Sequence, residues 1–250
     1  MLSTFRHYIV QEKTTGIGND MAKRFVYIPV ENEPGVREAS IEFDWFPGFA
    51  ISQKQKSIAS LHRAADEAGF HQILEISSKS EDEQGVKASA FNLSFHTKAS
   101  NRKVSVEAAF QGSKVFAFAG PFPDMYDMTA REAKKEIRVR QNGTLTKFCF
   151  FGKDFPLRPR TFFYDWLYIN TLHKDEELSS NLCRFSGFSD IEFNPEKSVN
   201  CQAFSAALYV SLVRCGMLDQ VLESEDEFRK LLKPFYECRE RNNPLQRTLI

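Results

Sequence analysis

Apolar and polar positions alternate along residues 40 to 46 (Ser-Ile-Glu-Phe-Asp-Trp-Phe) with the two-residue period of a strand that buries one face. The run 23 to 30 (Lys-Arg-Phe-Val-Tyr-Ile-Pro-Val) predicts a second strand, and Pro34-Gly35 and Pro47-Gly48 mark turns. The period then lengthens. Between Ser52 and Ala68 the apolar Ile58, Leu61, Ala65 and Ala68 predict an amphipathic helix, with a Ser cap near its start and Gly69 as its stop. Ile73-Leu74-Glu75-Ile76 predicts a strand, and the polar residues 77 to 85 predict a loop. Further helices are expected through residues 105 to 114 and from Thr129 to Arg140, where Thr129 can cap. Asn142-Gly143 is a turn signal before a strand from Leu145 to Phe151, as in a hairpin-like return. Residues 161 to 182 and 201 to 216 read as helices, the second apolar on nearly all sides and so buried, and a helix from Asp226 to Arg241 closes the pattern.

Composition then sets the class. With 250 residues, 42% hydrophobic and 26% charged, the chain can bury a sizeable core as one large or two small domains. Lys plus Arg equals Asp plus Glu at 33 each, so any contact with nucleic acid must be local rather than an overall electrostatic footprint. The five cysteines are odd in number and none are spaced C-x-x-C, which argues against a disulfide framework or a zinc site and fits a reducing cytoplasm. The first 30 residues lack a sustained apolar run and no apolar stretch reaches 18 residues, so neither a signal peptide nor a membrane span is expected. His62, His71, His96 and His173 are scattered without metal spacing, so no metal is expected, and no cofactor. Phenylalanine is the outlier at 24 copies; such rings fill cores, and a minority can form a stacking wall for a base.

Candidate chemistry concentrates in Ser105-Val106-Glu107-Ala108-Ala109-Phe110-Gln111-Gly112-Ser113-Lys114. On a helix, residues three and four apart are neighbours, so Glu107 meets Gln111 and Gln111 meets Lys114. Seven residues make nearly two turns, which returns the carboxylate and the ammonium to one face about 10 Å apart. Two readings fit: proton transfer beside an amine nucleophile, as needed to cleave a glycosidic bond to nitrogen, and an ordinary solvated helix face. Arg131, Lys134, Lys135, Arg138 and Arg140 make the most cationic window, which suits a solvated face or a phosphate contact surface. Asp190 fits a turn cap or a proton-transfer group, and Trp166 fits the core or a stacking platform. Asn200 fits the N-cap of the helix beginning at Cys201 or a ligand contact. Cys201 has no histidine beside it in sequence and is not read as a nucleophile.

Ala88-Ser89-Ala90-Phe91-Asn92-Leu93-Ser94-Phe95 followed by the Glu107 to Lys114 block resembles the paired signatures of NADAR domains, the YbiA-like fold. There an L-S-N-F-Y type segment precedes S-x-E-x-x-[FY]-Q-x-x-K. A third block, from Ser189-Asp190-Ile191 through Asn200-Cys201-Gln202 to Arg214, is similar to a degraded form of the family's C-terminal W-G-x-G…G-x-N-x-L-G…L-L-M-x-x-R segment. The resemblance spans roughly residues 85 to 216. Glu192-Phe193-Asn194-Pro195 replaces the tryptophan-glycine and glycine-rich parts of that block, and the first block lacks the usual Asn before its Phe. Together with Trp45-Phe46-Pro47-Gly48-Phe49, Ser52 to Ser57 and Phe163 to Ile169, the chain is most similar to the NADAR branch encoded beside DNA ADP-ribosyltransferase toxins of the DarT type.

The resemblance implies an α+β fold: a predominantly helical single YbiA-like domain, with a small sheet contributed partly by the N-terminal extension. Residues 1–84 would be that extension, packed on the same domain, and residues 85–250 the catalytic NADAR-like domain. It further implies a cytoplasmic antitoxin enzyme that removes ADP-ribose from guanine in DNA, with ADP-ribosylated DNA, ADP-ribose and a cognate toxin as partners. Lys114 would be the nucleophile, Glu107 the proton shuttle and Asp190 an assisting group. Ser89, Asn92 and Gln111 would orient hydroxyls or diphosphate oxygens, Phe91, Phe110 or Trp166 would stack on a base, and Asn200 would contact ligand. An N-glycosidase acting on a free nucleotide, and a non-catalytic ADP-ribose reader or toxin-sequestering protein, are the alternatives.

Overall fold

The computed structural model describes residues 20–194 and 199–242, so the reading of the first 19 residues and part of the third block lies outside the described residues. The chain opens with β1 (Asp20–Pro29) and β2 (Val36–Trp45), an antiparallel pair over their full length. Helix α1 (Ile51–Glu67) follows. Its buried Ile58, Leu61 and Ala65 form the expected stripe, and Gly69 at φ +86° takes the left-handed stop. The expected serine cap is absent: Ala50 is the N-cap residue, with no side-chain bond, and the helix takes Ser52 into its first turn. Next come β3 (Ile73–Glu75) and α2 (Glu83–Ala88). That short helix replaces the end of the expected loop because Asp82 caps it by accepting from the Gln84 N–H.

A small ribbon, β4 (Ser94–His96) with β5 (Lys103–Ser105), leads into α3 (Val106–Gly112), which Ser105 caps. Helix α3 is shorter than expected. It ends at Gly112, and Lys114 begins a strand, β6 (Lys114–Phe116). A Cβ at Gly112 would lie 2.7 Å from the Tyr126 ring and 2.8 Å from the Phe122 carbonyl oxygen, so only glycine lets this helix end press on the 3-10 turn at Pro123–Asp127. Thr129 caps α4 (Ala130–Lys135) in a full capping box with Glu132. The helix expected to reach Arg140 breaks at Glu136, and α5 (Arg138–Gln141) is a separate turn. β7 (Leu145–Phe150) pairs with β6 on one side and with β8 (Lys153–Phe155) on the other.

The remainder is α6 (Phe162–His173), α7 (Glu176–Leu182), β9 (Gly187–Ser189), α8 (Gln202–Arg214), α9 (Leu218–Leu222) and α10 (Glu225–Asn242). β9 inserts between β1 and β3, antiparallel to the first and parallel to the second, giving the order β2-β1-β9-β3. Residues 20 to 75 therefore supply three strands of the sheet that a strand more than a hundred residues later completes. Alternation along β1 sends Val26 toward α1 and Tyr27 toward α8, where Tyr27 meets Phe204 edge-on at 5.9 Å. The sheet thus lies between two helical layers.

Helices hold 45% of the described residues and strands 20%, so the fold is mixed rather than predominantly helical. Strands of three residues carry no readable alternation, which is why the sheets are larger than the sequence pattern predicted. The phenylalanines mostly fill the core: Phe148 stacks on Phe163 at 4.8 Å, and Phe155 touches Phe163 and Trp166 at 4.7 and 4.9 Å. One polar knot ties α6, α8 and α10 within this apolar mass. Asp165, fully buried, accepts from Ser205 Oγ at 2.6 Å and Tyr236 Oη at 2.9 Å. Asp165→Ala is expected to cost about 3 kcal/mol, read as a drop of roughly 6–12 °C in Tm, because two bonds to a buried carboxylate are lost and Ser205 Oγ keeps only its longer contact to the Cys201 carbonyl at 3.3 Å.

Candidate active site

A cleft of about 840 Å³ opens at the carboxyl ends of the two parallel strands β3 and β9. Ser77 and Ser78 lie just past the end of β3, Asp190 follows β9, and Asn200 and Gln202 mark the start of α8. Crevices beyond strand carboxyl ends are ordinary ligand sites, and a helix N-terminus brings partial positive charge to them. The opposite wall is α3, β6 and α4, which contribute Glu107, Phe110, Gln111, Lys114, Arg131 and Lys134.

Gln111 links the two groups singled out by the sequence. Its Nε2 donates to Glu107 Oε1 at 3.0 Å, and its Oε1 accepts from Lys114 Nζ at 2.7 Å. The i, i+4 spacing on α3 makes the first contact; the second arises because the chain turns into β6 at Lys114 and swings the ammonium back over the helix. Lys114 Nζ also sits 5.0 Å from the Phe110 ring centroid. Burial pushes the Lys114 pKa down to about 8; Glu107 opposes this, while the nearby Arg140 and Lys134 charges add to it. A free amine is thereby accessible near neutral pH.

Asp190 is buried at the cleft wall, and its carboxyl is held well above the usual carboxylate range, by burial first and by the Glu75 carboxylate second. Its Oδ1 also accepts from the Glu192 and Phe193 N–H groups, so the turn-cap role and the cleft position coexist. Behind it Glu75, raised by burial, accepts from Ser189 Oγ at 2.6 Å and from the Ile191 N–H at 2.9 Å. Tyr164 faces Glu107 from α6, its hydroxyl raised well above 10 by burial. Gln202 pins the floor by accepting from the Ala90 N–H at 2.8 Å and donating to the Ile76 carbonyl at 2.6 Å.

The cleft collects Glu107, Lys114, Asp190, Phe91, Phe110, Gln111 and Asn200 but not Ser89, Asn92 or Trp166. Ser89 and Asn92 belong to the turn after α2, where Asn92 Nδ2 donates to the Val86 carbonyl at 2.8 Å and to Ser89 Oγ at 3.3 Å. Trp166 packs against Phe150 and Phe155 on the far side of Phe163. Phe110 is wedged among Phe148, Phe163 and Tyr164, so it floors the cleft more than it offers a free stacking face. Phe91 is only half-buried, with Lys134 Nζ 5.0 Å from its centroid. Asn200 is not the cap of α8; that position is Cys201, which has no side-chain cap bond. Cys201 is fully enclosed and its thiol is raised well above 9 by burial, the state of an unreactive core cysteine.

The cationic window divides. Arg131 and Lys134 line the cleft, whereas Arg138 pairs outside it with Asp124 and Glu136. Sequence reading missed Lys79, Arg158 and Arg160, which join them on the rim. Six cationic side chains and three carboxylates line the cleft, a balance that suits an anionic ligand. The only local signal for the two arginines was Arg-Pro-Arg after an apolar strand, which has no fixed meaning. Among the described residues no cluster of His, Cys, Asp or Glu could hold a metal ion, and no helix is long and apolar enough to cross a membrane.

No curated protein matches the chain. A family model described as DarT1-associated NADAR antitoxin matches residues 22–242, across the division at residue 84 and including every cleft residue named above. With nearly the whole chain inside that match, the protein belongs to the DarT1-associated NADAR antitoxin family.

Proposed function

We propose that the protein is an ADP-ribosyl glycohydrolase that frees guanine bases of DNA from ADP-ribose, reversing the modification made by a partner toxin. The observation that carries this reading is the Lys114–Gln111–Glu107 chain of contacts on the wall of a cationic cleft. An amine of lowered pKa beside a carboxylate is suited to attack at a carbon joined to both oxygen and nitrogen. The cations suit the diphosphate.

In the proposed reaction, Asp190 or a water it holds protonates the ribose ring oxygen as the exocyclic guanine nitrogen pushes it out, opening the ring to an iminium at C1. The free amine of Lys114 adds to C1. Glu107 moves a proton from the lysine nitrogen to the guanine nitrogen, the C1–guanine bond breaks, and the base leaves with an intact amino group. A lysine iminium remains. Water adds to it, giving its proton to Glu107; lysine is expelled, and the sugar closes as ADP-ribose. The net change is one water consumed for one C–N bond broken.

The test is release of ADP-ribose from a guanine-modified oligonucleotide, compared with a free modified nucleotide, with borohydride present in parallel. Turnover of the oligonucleotide and a reduced adduct mapping to Lys114 are expected; turnover of the free nucleotide alone would reassign the enzyme to metabolite hydrolysis, and no turnover of either would leave a reader or toxin-binding role. The pH profile follows from Lys114 and Asp190. Below the Lys114 pKa of about 8 the amine carries a proton and cannot attack, and above about 8 Asp190 has lost the proton it must donate, so kcat/KM should rise about tenfold per pH unit up to about pH 8 and fall beyond it. A flat profile from pH 6 to 9 would exclude a free-amine nucleophile with that pKa.

A further inference from the structure

A second hollow, of about 440 Å³, lies beyond the active-site cleft along the same strand. Phe148 lines the cleft and Phe150 lines the hollow; two residues apart, they share one face of β7 about 7 Å from each other along the strand. Phe163 separates the two, in ring contact with both. The hollow is walled by Phe95, Phe150, Phe151 and Trp166 and edged by Lys98 and Lys174, with no carboxylate among its lining residues. Neither lysine makes an ion pair within the described residues, and Lys174 Nζ lies 5.8 Å from the Phe95 centroid.

Phe151 is the odd residue. It occupies the first position of the two-residue β7–β8 turn at φ +47°, followed by Gly152 at φ +81°, the mirror-image turn that favours Asn-Gly. A bulky side chain is rare in that backbone region, and strain of this kind collects at binding sites. The ring is also 55% exposed, so its burial does not explain the choice. Phe151 stays 4.6 Å from the Phe150 ring and 5.3 Å from that of Tyr126, which leaves it held upright at the rim.

We propose that this hollow is a stacking platform for an unmodified base of single-stranded DNA flanking the modified nucleotide, with Lys98 and Lys174 on the phosphates. Aromatic rings beside unpaired cations are the features by which single strands are held without sequence preference. Stacking between rings selects an unpaired base over a duplex, and the absent carboxylates favour a polyanion. The inference rests on the reading of the cleft as acting on DNA.

The test uses an unmodified single-stranded oligonucleotide and fluorescence anisotropy, with Phe151→Gly and Lys174→Glu as variants. Glycine suits the turn better than phenylalanine, so Phe151→Gly should melt no lower than wild type while binding about tenfold more weakly, the size of one lost stack. Lys174→Glu should bind more weakly and with a shallower salt dependence. In a Trp45→Phe background, Trp166 reports the site directly, and its emission should be quenched by the oligonucleotide. Wild-type binding by both variants, unquenched Trp166 or equal competition by duplex DNA would each overturn the platform. Hydrolysis of a short modified nucleotide should stay within twofold of wild type in both variants. That measurement separates failure of the platform from failure of the cleft, because a protein that binds strands at Trp166 but hydrolyses nothing loses only the enzymatic reading.

Discussion

Lys114→Met is expected to lower kcat at least about 10³-fold while the protein keeps its melting temperature. Methionine fills similar space over the Phe110 ring but has no nitrogen to bond to C1, so the iminium and the borohydride adduct both vanish. The fold should tolerate the change well. Methionine loses the 2.7 Å bond from Nζ to Gln111 Oε1, a cost of about 1 kcal/mol, but it also removes the desolvated ammonium whose burial lowers its pKa to about 8, and the two effects oppose each other. Loss of activity without loss of stability is thus the joint signature to seek, by single-turnover kinetics and thermal melting on the same preparation. Lys114→Arg sharpens the result, because arginine keeps the charge but stays protonated and should be as inactive as methionine. Turnover by the arginine variant within tenfold of wild type would remove the amine from the mechanism.

Glu107→Gln is expected to reduce kcat by about 10²- to 10⁴-fold with little change in KM. The amide retains an acceptor for the Gln111 Nε2 donor, so the wall of the cleft keeps its shape, yet it cannot take a proton from lysine or from water. A merely structural role predicts the opposite pattern, with activity preserved and stability altered. The decisive measurement is the rate of base release against ADP-ribose release. Slowing of both by the variant supports a shuttle acting at lysine and at water, whereas activity within fivefold of wild type would transfer the proton work to another group lining the cleft, such as Asp190 or Tyr164.

Adjacent positions were readable wherever the physics is local. The alternation in β2, the Ile58-Leu61-Ala65 stripe of α1 and the Thr129 cap of α4 each depend on residues within two turns, and each is present as expected. The meeting of Glu107 with Gln111 is of the same kind, a consequence of i, i+4 spacing. The Lys114 contact was anticipated for a partly mistaken reason. A continuous helix was expected, and a strand delivers the ammonium instead, because Gly112 lets the helix end abruptly against the Pro123–Asp127 turn.

What the sequence determined by itself is therefore a set of short elements, a carboxylate and amide on one helical face, and membership marks for a family. Only the tertiary structure decided which distant groups share the cleft. Asp190 shares a cleft with Glu107 because β9 slots between β1 and β3, Arg158 and Arg160 arrive with the segment before α6, and Ser89, Asn92 and Trp166 are carried elsewhere. The lowered pKa of Lys114 and the raised one of Asp190 belong to the same category. Spacing along a chain fixes neighbours over about two helical turns. Desolvation depends on everything packed around a group, and that sum is written only when strands and helices separated by a hundred residues close on one another.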